Sequence, residues 1–339
     1  MPIRINRRHF IRNASTVVAV SALPACGPGD EEVVRPAGVP VGPFGADSTA
    51  EEVTAGIDLS GRTAVVTGAN SGLGYETMRV LALRGAHVIG TGRTAEKAET
   101  ACASIQGRAT PVVLELTDLE SVAAAADQIR ALGIPIDMLI CNAGIMGSPE
   151  LEQVNGIEKQ FFVNHVGHFA FTTQLIDQVV AAPQGRIVMV SSLGHRWAPE
   201  AGIEFDNLSG ERDYDPNRMY GQSKLANGLF AFELARRLEG TNATANAVHP
   251  GIIMTNLARN FPKWQQVAGH LIGWTFMKSM EAGAATTCYV ATNPALKKVN
   301  GYYFADCNPV VPTEQMMDAA LAARLWEVSE ELTGYAAAG

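Results

Sequence analysis

The chain has 339 residues, 47% hydrophobic and 18% charged, and a formal net charge of -8; that length fits one large α/β domain of about 250–300 residues, or two small ones. The acidic balance, with no basic cluster beyond the first dozen residues, argues against nucleic acid as a partner. Cys26, Cys102, Cys141, Cys288 and Cys307 form no Cys-x-x-Cys pair and no zinc spacing with histidine, and no run of about 18 apolar residues is present, so neither a metal site nor an ordinary transmembrane helix is expected.

Residues 1–25 read as a targeting segment. Arg4, Arg7, Arg8 and Arg12 precede the first acid, Asp30, and the weakly apolar stretch Ala14 to Leu23 follows them. Asn6-Arg7-Arg8-His9-Phe10-Ile11-Arg12 resembles a twin-arginine export signal, and Leu23-Pro24-Ala25-Cys26 resembles a lipoprotein cleavage site, with a plain cut after Ala25 as the other reading. These resemblances imply an exported, periplasmic protein that engages the export machinery, tethered to a membrane where Cys26 carries lipid. The rival is a basic tail on a cytoplasmic enzyme. Residues 26–58 carry Gly, Pro and acids without an apolar period and are expected to form a flexible linker.

From Arg62 onward, short β-branched runs alternate with helical patterns. The runs are Thr63–Thr67, Ala86–Thr91, Ala109–Leu114, Ile136–Cys141, Arg186–Ser191 and Ala243–Val248, with Gly301–Phe304 as a candidate seventh strand. Continuous apolar runs of this length suit strands buried on both faces, and helical periods such as Met78–Leu83 and Ser121–Leu132 lie between them. The pattern predicts an α/β fold, a doubly wound parallel sheet in a single domain over 59–335. Cys141, inside an apolar strand, reads as core.

The first strand runs into Thr67-Gly68-Ala69-Asn70-Ser71-Gly72-Leu73-Gly74, and a helix opens directly after it. Glycines by themselves mark only a turn. Between a strand and a helix they let the backbone approach a pyrophosphate, which the helix N-terminus then receives. Gly68, Asn70, Ser71, Gly72, Leu73 and Gly74 are therefore the candidate phosphate cradle. The second strand ends at Gly92 and is followed by Arg93 rather than by an acid that would hold a ribose 2′-hydroxyl. A guanidinium there matches a 2′-phosphate, so NADP(H) is expected over NAD(H).

These residues, with those that follow, resemble the short-chain dehydrogenase/reductase family and its retinol dehydrogenase-like branch. The resemblance runs over about residues 59–335, through Asp118-Leu119, Asn142-Ala143-Gly144, Asn164, Ser192, Tyr220-Gly221-Gln222-Ser223-Lys224, His249-Pro250-Gly251, Thr255 and the ending Gly301-Tyr302-Tyr303-Phe304. It implies a Rossmann-type sheet and a set of cofactor contacts. Asp118 and Leu119 would border the adenine. Asn142, Ala143, Gly144, Pro250, Gly251 and Thr255 would join the phosphate cradle, Arg93, Tyr220 and Lys224 around the dinucleotide. It also implies that Asn164 holds a water linking Lys224 to solvent.

The chemistry of the catalytic candidates follows from residue type. Tyr220 and Lys224 are four apart and share a helix face. A free phenol ionises near ~10, and a nearby ammonium favours the phenolate, making Tyr220 a candidate general acid/base. Ser192 ends the fifth strand, where its hydroxyl can bond a carbonyl oxygen as charge develops. The expected substrate is an apolar alcohol or carbonyl. Two regions are expected to shape its pocket: Leu193 to Met219, with Trp197, Phe205 and Tyr214, and Ile252 to Met280, whose Phe261, Trp264, Trp274 and Phe276 would act as a lid. The rival functions are an exported, non-catalytic dinucleotide-binding protein and a tethered redox partner; a homo-oligomer is left open.

Overall fold

The computed structural model describes residues 34–253 and 277–335. Its elements, in chain order, are α1 (Ala50–Val53), β1 (Thr63–Val66), α2 (Gly72–Leu83), β2 (His87–Gly92), α3 (Ala95–Ala103), β3 (Arg108–Val113), α4 (Leu119–Arg130) and β4 (Met138–Cys141). A small hairpin, β5 (Gln153–Val154) and β6 (Ile157–Glu158), leads into α5 (Lys159–Phe161), a π-helical turn (Phe162–Val166) and α6 (Gly167–Val180). Then come β7 (Arg186–Val190), α7 (Pro216–Arg237), β8 (Thr244–His249), α8 (Met280–Thr292), β9 (Tyr303–Ala305), β10 (Asn308–Val310) and α9 (Ala319–Thr333).

Eight strands form one sheet in the order β10-β9-β8-β7-β4-β1-β2-β3. All neighbours are parallel except β10, which returns antiparallel on β9. Strand residues alternate between two cores. Val65, Leu139, Ile187 and Met189 face the layer that holds α4, α6, α7 and α9, while Ala64, Val66, Met138, Ile140 and Val188 face the layer that holds α1, α2 and α8. Burial on both faces is why these strands read as unbroken apolar runs. The strand order reverses between β1 and β4, so the loops after these two strands flank a crevice at the carboxyl end of the sheet.

Two expectations are corrected. Residues 34–58 are no flexible linker: they pack on the domain. Ala50 and Val53 are buried, Phe44 meets Tyr289 edge-on at 5.7 Å between ring centroids, and α1 is held by a capping box between Thr49 and Glu52. Asn308 Nδ2 donates to the Phe44 carbonyl at 2.8 Å, and Val311 N–H to that of Val34 at 2.9 Å. The strap runs through turns and coil around the single short helix α1, so its apolar residues show no period. The second correction is the edge strand β10, which the sequence reading did not include. It is three residues long and follows a turn through Asp306 and Cys307, which hold φ of 50° and 60°.

Candidate active site

The loop after β1 is shaped by its glycines. Gly68 and Gly72 adopt φ of 66° and 59°, in the left-handed region. A Cβ on Gly74 would lie 2.4 Å from the Gly68 carbonyl oxygen and 2.5 Å from Asn142 Nδ2. Helix α2 can therefore press onto the loop only with glycine there. Ser71, its N-cap, makes no side-chain cap bond, whereas Thr94, Asp118, Asp215, Ser279 and Asp318 cap α3, α4, α7, α8 and α9. The first-turn N–H groups of α2, at Gly72, Leu73 and Gly74, are left for an anion, and Asn70 is half-buried beside them. This cradle fits a dinucleotide pyrophosphate.

Arg93 follows β2 and is exposed. Asp118 is also exposed, but its carboxylate is engaged: it accepts the Glu120 N–H at 2.9 Å and caps α4. Leu119 packs against the core. Across the crevice, Thr67 Oγ1 accepts the N–H groups of Asn142 and Ala143, both at 2.9 Å, and Asn142 Nδ2 donates to the Thr67 carbonyl at 3.0 Å. The turn after β4 is thereby tied to the end of β1. Gly144 stands over two of the candidate residues, where a Cβ would lie 3.1 Å from Asn164 Oδ1 and 3.3 Å from Lys224 Nζ. Pro250 is buried and Gly251 takes φ 97° after β8. Thr255 and the lid aromatics Phe261, Trp264, Trp274 and Phe276 lie outside the described residues.

Helix α7 starts cleanly: Asp215 accepts the Arg218 N–H at 2.7 Å and Pro216 takes the first turn. It is buried for most of its length because it is clamped between the sheet and α9. Tyr220 and Lys224, on one face, are 5% and 4% exposed. Burial pushes the phenol up to about 12, against a downward pull from its hydrogen bond with Ser192. Burial also pulls Lys224 down to about 8; its Nζ donates to the Val190 carbonyl at 3.0 Å and lies 5.7 Å from the Tyr220 ring centroid. Ser192 caps the 3-10 turn Leu193–Trp197 by accepting the Gly194 N–H at 3.0 Å. That turn lies against the phenol, for a Cβ on Gly194 would sit 2.8 Å from the Tyr220 ring, and the Trp197 ring is 6.3 Å away.

Asn164 lies in the π-helical turn, the kind of helix defect that gathers at functional sites. Its side chain is fully engaged: Oδ1 accepts the Ile145 N–H at 2.8 Å, and Nδ2 donates to the Ile145 carbonyl at 3.0 Å and to Ser223 Oγ at 2.9 Å. Asn164, Ser192, Tyr220 and Lys224 are thus brought together beneath Gly144. Two histidines, His168 and His195, escaped the sequence reading, and His249 entered it only as part of its motif. His168 bridges Thr67 and the Asn164 carbonyl. His195 Nδ1 donates to the Ser192 carbonyl at 2.7 Å, and His249 Nδ1 accepts the Leu193 N–H at 3.2 Å. The available signal for His168 was a polar residue four after Asn164 in the largely apolar stretch Phe161–Phe171. Cys141 is buried, with its thiol pushed up to about 12 by desolvation.

A glycine cradle at the sheet's switch point, facing half-buried Ser192 and buried Tyr220 and Lys224, suits a dinucleotide oxidoreductase. Residues 62–266 match the family model described as short chain dehydrogenase, and the chain belongs to that family. It is 42% identical over 301 residues to Short-chain dehydrogenase TIC 32 A, chloroplastic, of Brassica napus, covering 85% of this chain and 94% of that protein. It is 38% identical over 296 residues to Retinol dehydrogenase 14 of Homo sapiens, covering 81% and 87%. Among solved structures, an uncharacterized protein from Mycobacterium Paratuberculosis aligns with TM-score 0.70 at 34% identity, over 85% of this chain and 98% of that one. A structure from Beutenbergia cavernae described as an NAD(P) dependent gluconate 5-dehydrogenase, with bound NADP at low occupancy, aligns with TM-score 0.57 at 27% identity, over 73% and 96%.

Proposed function

We propose that the protein is an NADP(H)-dependent oxidoreductase that interconverts an apolar alcohol and its carbonyl compound, with Tyr220 as general acid/base. The observation that carries this reading is the convergence of Ser192, Tyr220 and Lys224 beside the uncapped, glycine-lined start of α2. Gly68, Asn70, Ser71, Gly72, Leu73 and Gly74 would hold the pyrophosphate, Arg93 the 2′-phosphate, and Asp118 and Leu119 the adenine end. Asn142, Ala143, Gly144, Tyr220, Lys224, Pro250, Gly251 and Thr255 would hold the nicotinamide end. The dinucleotide supplies or accepts the hydride.

The chain's own groups do the rest. Tyr220 delivers its phenolic proton to the carbonyl oxygen in reduction and takes the alcohol proton in oxidation. Ser192 hydrogen-bonds the same oxygen and holds the phenol in line. Lys224, when protonated, stabilises the phenolate; the Val190 carbonyl fixes its place. Leu193, Trp197 and Ile252 stand exposed on the loops after β7 and β8, which favours an apolar substrate. The order of Arg7-Arg8, apolar stretch and Cys26 supports export through the twin-arginine route, with a lipid on Cys26 as its final anchor.

The test uses a panel of apolar aldehydes and ketones with NADPH. Tyr220→Phe should slow the chemical step by about 10²-fold or more while leaving dinucleotide binding nearly unchanged. Reduction at the unmutated rate would remove Tyr220 from the mechanism.

A further inference from the structure

His168 sits in the first turn of α6, fully buried, between the two halves of the site. Its Nδ1 lies 3.0 Å from the Asn164 carbonyl oxygen, and its Nε2 lies 2.9 Å from Thr67 Oγ1. A carbonyl only accepts, so Nδ1 carries the proton. Burial and the nearby Lys224 charge pull the ring down to about 4, against the upward pull of the Asn164 carbonyl, so it is neutral at physiological pH and Nε2 is an acceptor. Thr67 Oγ1 already accepts two N–H groups, from Asn142 and Ala143. Its one remaining hydrogen-bonding element is its own proton, which points to Nε2.

The direction of every bond is therefore determined. The Asn142 and Ala143 N–H groups donate to Thr67, Thr67 donates to His168, and His168 donates to the Asn164 carbonyl. On the far side, Asn164 Nδ2 donates to Ser223 Oγ at 2.9 Å, and Ser223 Oγ donates to the Tyr220 carbonyl at 2.8 Å. Thr67, Asn164, His168 and Ser223 are all sealed from solvent. A buried chain with each donor and acceptor matched admits one arrangement only, since any reversal strands a polar group.

We propose that His168 is a positioning residue: the single-tautomer link through which the dinucleotide loop at Thr67 and the Asn142–Ala143 turn set the place of Asn164 and, through Ser223, of Tyr220. This rests on the reading of the loop as a dinucleotide cradle. With the chain intact, Gly68 and Ala143 are held ready for the ligand. With it broken, binding must order them first.

Two measurements on the full-length protein test this. In ¹⁵N-histidine spectra of the unmodified protein, one ring should be protonated at Nδ1 and bare at Nε2 from neutral pH down to about 5, and its signals should vanish in His168→Gln. A His168 ring protonated at Nε2 while neutral, or doubly protonated at neutral pH, overturns the proposal. The second is calorimetric titration with NADPH and NADH. His168→Asn places a donor near the Nδ1 position and loses Thr67; Thr67→Val loses the same bond from the other end. Each should weaken NADPH about tenfold, the worth of one buried hydrogen bond, and the double variant should lose about the same tenfold, since one link is broken in both. His168→Gln, whose amide reaches Thr67, should stay within about threefold of the unmodified protein. A roughly hundredfold loss in the double variant, or unchanged affinity in both single variants, overturns the proposal. If the unmodified protein binds neither dinucleotide, the functional reading fails, and the ring spectrum still decides the tautomer. If Thr67→Val or His168→Asn does not fold, the ring spectrum and His168→Gln carry the test.

Discussion

Tyr220 should be inert as a base until the site is assembled around a dinucleotide. The perturbation is pH, applied to protein free of dinucleotide. Burial pushes the phenol up to about 12, where a free tyrosine ionises near ~10, so the site disfavours phenolate by roughly 3 kcal/mol. The cation that could offset this is Lys224, 5.7 Å from the ring centroid. At an effective dielectric of ~20 a charge at that distance is worth about 3 kcal/mol, enough to cancel the cost of burial. Lys224, however, is itself drawn down to about 8, so on a rising pH the amine is neutral before the phenol yields its proton. The pair activates only when something holds the ammonium charged, which ribose hydroxyls accepting its N–H groups would do, while the positive ring of the oxidised dinucleotide would favour the phenolate directly. The assay is an ultraviolet tyrosinate titration, taken as the unmodified protein minus Tyr220→Phe, with and without oxidised dinucleotide. Without it, the difference signal should be absent up to about pH 11; with it, the signal should appear well below ~10. Ionisation of Tyr220 below ~10 in the dinucleotide-free protein would refute the argument.

Arg93→Asp should erase or reverse a preference for NADPH over NADH of about 1–2 kcal/mol, read by calorimetry; equal affinities in the unmodified protein would count against the role of Arg93. Gly74→Ala drives a methyl group to 2.4 Å from the Gly68 carbonyl, so it should cost about 1–3 kcal/mol in dinucleotide affinity or stability, and an unchanged protein would mean that the loop yields. His165, His168, His195 and His249 are drawn down to about 3, 4, 4 and 3 by burial. Folded-state values below the ordinary ~6.5 mean that the unfolded chain takes up the protons first, so stability is intact above ~6.5 and falls below it by up to about 1.4 kcal/mol per pH unit and histidine. Urea midpoints that do not move between pH 7 and 5 would contradict this. Changing Arg7 and Arg8 together to lysine should trap the precursor inside the cell, and a doubly changed protein that still reaches the envelope would exclude the twin-arginine route.

The candidate site residues were legible because each belongs to a local pattern. The glycine loop needs only a strand before it and a helix after it, and Gly68, Gly72 and Gly74 sit where the left-handed turns and the close approach fall. Tyr220 and Lys224 meet because four residues make about one helical turn. The strands were legible because both faces of the sheet are covered, which removes the alternation and leaves plain apolar runs.

What the chain order could not carry was decided by contacts between distant segments. Residues 34–58 have no period of their own, and they are ordered because Val53 and Phe44 find apolar surface on α2, α8 and Tyr289, supplied more than two hundred residues later in part. Strand β10 is three residues long and exists as a strand because β9 offers it an edge. His168 looks, in the sequence, like any polar residue in a helix. Only the tertiary fold brings its Nε2 to Thr67, 101 residues away, while Nδ1 meets the Asn164 carbonyl 4 residues back. A hydrogen bond between such partners depends on the position of atoms to within a few tenths of an ångström, and the close packing of the interior sets those positions.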